Sequence, residues 1–297
     1  MSKTGYGIIL AILTGIFAAI LSQLYRKQGD DKRDQATFHL VLCWSRFLFS
    51  FLFIFLFGAK IGGKIFLTTS IASGLAQTGN FVLVLYGIMI GPIAISYGII
   101  WLAAPATALA WAIYPGNEPW SINQFIGLAF FIICIPTLAI STYRHNKDCG
   151  EARPVRKAFF PIMIIAMLFG TTDGYFAKYS NGYDVQAGSP AIYALIISFV
   201  VATGLTIYHL ILSHKFRYTP LVFKYAVLAG FIISLQIATT AYGFKFINVS
   251  RFLPIIASSA IILSAILSAY FHKEIPSVAT IFGLAMSIGA IIFLAIG

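Results

Sequence analysis

Residues 65–88 read IFLTTSIASGLAQTGNFVLVLYGI, and residues 221–244 read LVFKYAVLAGFIISLQIATTAYGF. A shift of 156 residues lays the first stretch over the second, so that Gly74 meets Gly230 and Tyr86-Gly87 meets Tyr242-Gly243. The same shift brings Glu118 onto Glu274 and Gly127-Leu128-Ala129 onto Gly283-Leu284-Ala285. Nearer the start, Leu13 and Gly15 meet Leu168 and Gly170 at a shift of 155, a slippage of about one residue. Residues 5–141 and 158–297 thus read as two copies of one unit. Each copy holds five long apolar stretches. An odd number of membrane crossings per copy reverses the second copy, which predicts two inverted five-helix repeats with a site near the midplane where they meet.

Composition supplies the membrane. With 59% hydrophobic and 10% charged residues, and a mean hydropathy of +0.89, the chain has too little polar surface to cover a soluble globule of 297 residues. Runs of about 20 apolar residues, enough to cross roughly 30 Å of hydrocarbon as helix, recur ten times. They fall near 5–25, 36–58, 65–88, 92–113, 121–141, 158–178, 189–211, 221–244, 249–270 and 277–297. The expected fold is therefore all-α and integral to the membrane, with residues 1–142 and 158–297 as repeats and 143–157 as a basic linker. The runs are too long and too unbroken for transmembrane strands. The first one is longer than a signal-peptide core, which predicts a retained span.

The net charge of +11 lies in loops flanking the spans, so it speaks for orientation and not for nucleic acid. Arg26, Lys27, Lys32, Arg33, Arg144, Lys147, Arg153, Arg156, Lys157, Lys215, Arg217, Lys224 and Lys273 fall on the linker side, against Lys3, Lys60, Lys64, Lys178, Lys245 and Arg251 on the other. That asymmetry predicts a cytoplasmic linker and external termini. Three cysteines, Cys43, Cys134 and Cys149, make neither a disulfide framework nor a metal site. His39, His209, His214 and His272 are scattered near span ends without ligand spacing. Gly58 to Lys64 mimics a phosphate loop, but Ile65 replaces its Ser or Thr and no strand precedes it, so nucleotide coupling is not expected. With no nucleophile and base pair in view, no enzyme and no cofactor are expected.

The chain resembles a ten-helix, EamA-like member of the drug/metabolite transporter superfamily over essentially its whole length. The residues that carry the resemblance are Arg46 mid-way along the second span, Pro105 late in the fourth, Glu118 closing that span and Gly127 nine residues on, with Glu274 and Gly283 repeating the last two. Ile261 stands where a second Pro105 would fall, and Ala202 opposite Arg46. The resemblance implies a proton-driven or facilitative carrier of small metabolites, often an exporter, in the plasma (inner) membrane. It also implies cytoplasmic termini, against the loop charges.

Polar residues inside the spans are the candidate site, because each costs free energy in lipid unless it faces a partner or water. Arg46 and Asp173 are the two charges read as deep. Arg46 offers a planar fork to a substrate carboxylate or phosphate, or else a structural contact. Asp173 offers an ammonium site or a coupling proton site, or else an ion pair with Arg46 or Lys178. Gln77, Asn80 and Gln236 are cavity or helix-bridging amides. Tyr86 and Tyr242 read as interfacial anchors. Trp44, Tyr97, Trp101 and Tyr175 are candidates for a cation–π cage, weighed against coincidence in a chain that is 15% aromatic. Ala11, Gly15 and Ala19, and again Ala279, Gly283 and Ser287, place small residues four apart for close helix approach. The expected partners are a small organic metabolite, amino-acid or amine-like, the bilayer and protons, without nucleic acid, for a monomer or homodimer. The alternatives are a flippase of a lipid-linked or phosphorylated substrate and a non-transporting scaffold.

Overall fold

The computed structural model describes residues 3–25, 27–28, 31–90, 96, 99–113, 120–148, 156–182, 188–212, 215–272 and 278–296. They form ten α-helices: α1 (Lys3–Tyr25), α2 (Lys32–Phe57), α3 (Lys64–Ile90), α4 (Ala103–Ile113), α5 (Ile122–Asp148), α6 (Phe159–Gly182), α7 (Pro190–Ile211), α8 (Pro220–Gly243), α9 (Val249–His272) and α10 (Val278–Ile296). No strand occurs among the described residues. Six helices (α1, α2, α6, α7, α8 and α9) contain segments long and apolar enough to cross a membrane. Helix α3 has 27 residues but dilutes its apolar run with Ser70, Ser73, Gln77 and Asn80.

Helix ends follow local chemistry. Asp31 caps α2 by accepting from the Arg33 amide at 2.9 Å, and Ser189 caps α7 directly before Pro190. Gly58 ends α2 at φ 77°, a left-handed conformation that disfavours a side chain, so the phosphate-loop look-alike is a helix C-cap followed by a loop. The fourth predicted span is not one continuous helix. Ile99–Trp101 is helical, Leu102 is a turn, and α4 restarts at Ala103. Pro105 explains the break, since it has no amide to offer the Trp101 carbonyl and its ring crowds that turn. Helix α5 runs on to Asp148, past the predicted start of the linker at 143.

The outer surface is apolar. Phe55, Leu75, Ile122, Leu210 and Ile211 are each at least 55% exposed, side chains that only lipid or a partner would cover. Tyr86 and Tyr242 are exposed as well, as anchors should be.

Packing runs between the halves. Helix α3 lies along α6 and α7, α2 along α8 and α7, α1 along α9 and α8, α4 along α6 and α9, and α5 along α10. The main core mixes Ala11, Phe66, Trp111 and Phe131 with Ile197, Phe244, Phe252 and Ala290. Ala11, Gly15 and Ala19 are buried as the small-residue spacing requires, and a Cβ on Gly15 would lie 2.6 Å from Ser259 Cβ on α9. In the second set Gly283 and Ser287 are buried, whereas Ala279 is exposed.

Candidate functional site

Arg46 sits half-way along α2 and is 1% exposed. Its guanidinium is divided between two helices: Nε donates to Ser198 Oγ on α7 at 2.9 Å, and a terminal nitrogen donates to Gln77 Oε1 on α3 at 2.6 Å. Ser198 also bonds Ser50 at 3.1 Å, one turn from Arg46 on α2. Behind Arg46, Ser234 of α8 donates to the Arg46 carbonyl at 2.9 Å. The site is tight here because Gly230 brings α8 onto α2, where a Cβ would lie 2.7 Å from Ser45 Cβ.

Gln77 also faces Asp173 of α6. One turn before Gln77 on the same face of α3, Ser73 donates to Asp173 Oδ1 at 2.5 Å, and the Ser73 hydroxyl lies 2.8 Å from the Tyr193 hydroxyl of α7. A chain of polar groups thus runs Ser50, Ser198, Arg46, Gln77, Asp173, Ser73, Tyr193 through four helices. No ion pair joins Arg46 and Asp173 directly; the described ion pairs are those of Arg33 and Arg217 with Asp31 at the loops. Arg46, Ser50, Ser73, Tyr193 and Ser198 are buried, while Asp173 and Gln77 are half-buried. Asp173 is therefore the charged residue with part of its surface open, and Arg46 is enclosed.

The structure brings together three of the expected site residues, Arg46, Gln77 and Asp173. Asn80 lies a turn further along α3, its amide packed where a Cβ on Gly170 would come within 2.6 Å. Gln236 is half-buried on α8, outside the chain of bonds. Trp101 is half-buried against the main core, and Tyr175 packs at a tilt against Trp111 with centroids 5.4 Å apart. Tyr97, Glu118, Glu274 and Cys149 lie outside the described residues. Trp44 does not join a cage: it is 39% exposed and donates to Thr206 on the outer surface at 3.1 Å.

Sequence reasoning missed the hydroxyl-bearing members of the polar chain, Ser50, Ser73, Tyr193 and Ser198. Ser73, Tyr193 and Ser198 carry no charge and are common in apolar helices, so nothing but helical spacing from Gln77 pointed to Ser73. Lys178 reads from the sequence as a span-end charge or an ion-pair partner of Asp173, but it is 7% exposed, with its ammonium 2.9 Å from the Phe244 carbonyl and 5.9 Å from the centroids of the Trp111 and Phe244 rings. It is a second enclosed cation after Arg46, held by the carbonyl end of α8 and by cation–π attraction. Arg46 is thus not the only buried cation, although Lys178 lies near the end of α6.

Among the described residues no group of three or more His, Cys, Asp or Glu could hold a metal. No protein-family model matches the chain, and no curated protein does. A solved structure described only as the crystal structure of a protein is similar in fold, with a TM-score of 0.77 and 13% identity, covering 97% of this chain and 97% of its own. The ten-helix arrangement thus matches an observed fold from end to end.

Proposed function

We propose that the chain is a secondary transporter of the drug/metabolite transporter type, moving a small amino-acid- or amine-like metabolite across the plasma membrane by alternating access of two inverted repeats. The observation that carries this reading is the polar chain through α2, α3, α6 and α7, centred on Asp173 at mid-helix. A passive scaffold would gain nothing from placing Arg46 and Asp173 there.

The packing supports the repeat. Adding five to a helix of the first half turns the α3–α6 pairing into α8–α1, α1–α9 into α6–α4, and α2–α8 into α7–α3, and all of these pairings occur. Glycines agree residue by residue. Gly15 would meet Ser259 and its counterpart Gly170 would meet Ala103, 156 residues before Ser259; Gly230 would meet Ser45 as Gly74 would meet Val200. In this mechanism Asp173 takes the substrate ammonium or the coupling proton, Gln77 and Ser73 orient it, and Arg46 clamps α2 to α3 and α7. A carrier of this kind would rock one set of helices against the other around that centre.

Thermal melting of the purified protein against a panel of amines, amino acids, sugar phosphates and nucleotides tests the substrate class. A ligand at about 100 times its dissociation constant stabilises by about 2.7 kcal/mol. Amines or amino acids should raise the midpoint and phosphorylated compounds should not. Stabilisation by phosphates alone would favour the flippase reading.

A further inference from the structure

At the end of the bundle away from the basic loops, the α2–α3 loop meets the start of α7 backbone to backbone. The Ser189 amide donates to the Lys60 carbonyl at 2.8 Å, and the Lys60 amide donates to Ser189 Oγ at 3.3 Å. Two glycines permit the approach. A Cβ on Gly62 would lie 2.6 Å from the Gly188 nitrogen, and one on Gly188 would lie 2.5 Å from the Phe66 ring and 2.9 Å from the Gly62 nitrogen. The buried Phe66 ring plugs the contact. Phe66, Ser70, Ser73 and Gln77 then follow one another along one face of α3 toward the proposed transport centre. A second route joins the same two points. Tyr193 lies one turn into α7, its amide donating to the Ser189 carbonyl at 3.1 Å and its hydroxyl 2.8 Å from the Ser73 hydroxyl. Ser73 gives its one proton to Asp173, so Tyr193 is the donor to Ser73. Direct bonds therefore link Asp173, Ser73, Tyr193, Ser189 and Lys60.

We propose that this glycine clasp is the gate on its side of the transport centre, held shut from within by Tyr193 through Ser73 and Asp173. The inference rests on the transport reading and adds to it where the path is closed and which residues carry the state of the centre to that closure. An ammonium or a proton on Asp173 draws charge away from the bond that Ser73 donates, and a weaker bond there loosens Tyr193 and the first turn of α7. The opposite end is tied by the counterparts of the same segments. Under the 156-residue shift residues 59–63 correspond to 215–219, and Tyr193 to Thr37. There Thr37 Oγ1 accepts from the Arg217 amide at 3.1 Å, and Thr219 Oγ1 donates to Asp34 Oδ1 at 2.8 Å. Side chains close that end, whereas backbone and glycine close this one. A carrier that alternates between ends releases one set of ties at a time.

Thiol labelling of the full chain in detergent tests the gate. Ser70 is buried between the clasp and Ser73, so with Cys149 replaced, a Ser70→Cys protein reports opening on this side to a water-soluble maleimide. Gly188→Ala forces Phe66 or Gly62 to move and should raise the labelling rate at position 70 about tenfold or more, while the equally buried Cys43 stays unlabelled. Asp173→Asn and Tyr193→Phe should each raise it severalfold, and the two together no further than the larger alone, because both cut one line of bonds. A Gly188→Ala protein that labels at the parent rate would overturn the gate, and additive single effects would overturn its link to Asp173. If Gly188→Ala does not fold, Ser189→Ala replaces it, with the same expected rise and the same overturning result, since it removes the acceptor for the Lys60 amide and the cap on α7. The transport reading fails separately. Amines or amino acids of the melting panel should change the labelling rate of the Ser70→Cys parent; a rate indifferent to all of them, with Gly188→Ala still open and the effects still non-additive, would overturn the carrier and uphold the clasp.

Discussion

Replacing Arg46 with alanine should leave little folded protein. The substitution strands the Gln77 carbonyl and breaks the bond to Ser198, both inside the bundle, and it opens a void where α2, α3, α7 and α8 meet. Breaking a buried charged network by removing one partner costs about 3–5 kcal/mol, a large share of the stability of most domains. Arg46→Lys should fall between, since one ammonium cannot present two donors in the plane of a fork to Ser198 and Gln77 together. Gel filtration and thermal melting in detergent read both variants. An Arg46→Ala protein that melts like the wild type would show that Arg46 is not the clamp.

Asp173→Asn should behave in the opposite way, folding well and failing to work. The asparagine keeps an oxygen for Ser73, and neighbours that already tolerate a half-buried polar group lose only the charge. What goes is the group proposed to bind an ammonium or carry a proton. A charge-assisted hydrogen bond is worth about 1.5–3 kcal/mol, so substrate affinity or pH-dependent uptake into vesicles should drop about tenfold or more. Tyr193→Phe should give a smaller effect in the same direction, because it removes only a hydroxyl at one remove from the carboxylate. Unchanged uptake and unchanged pH dependence in Asp173→Asn would take Asp173 out of the site.

The fold was legible because its signals are periodic and long. Ten apolar runs and a 156-residue shift locate the helices to within a few residues at most ends, from Lys3–Tyr25 to Val278–Ile296. The fourth run misled because apolar composition does not register where a proline withholds an amide, so Leu102 and Pro105 break what hydropathy reads as continuous. At the site, charge was the readable signal. Arg46 and Asp173 stand out in an apolar helix, and Gln77 follows by depth. Ser73, Tyr193 and Ser198 do not, because their role comes from which helices meet, and helix pairing across the two halves is not written in either helix alone. Lys178 shows the converse error. A lysine near a span end looks like a loop charge until α8 delivers the Phe244 carbonyl to it. His39 and His209, 170 residues apart in sequence, are likewise neighbours only once α2 and α7 pack.

Alternating access by inverted repeats requires that the two halves exchange environments. Asn80 on α3 and Gln236 on α8 occupy corresponding positions under the 156-residue shift and are both half-buried. Cys43 and Cys134 are buried, so with Cys149 replaced a single cysteine at position 80 or 236 can be followed by a membrane-impermeant thiol reagent. In oriented vesicles, saturating substrate should raise the labelling rate at one position and lower it at the other. Parallel changes at both positions, or none at either, would contradict alternating access by inverted repeats.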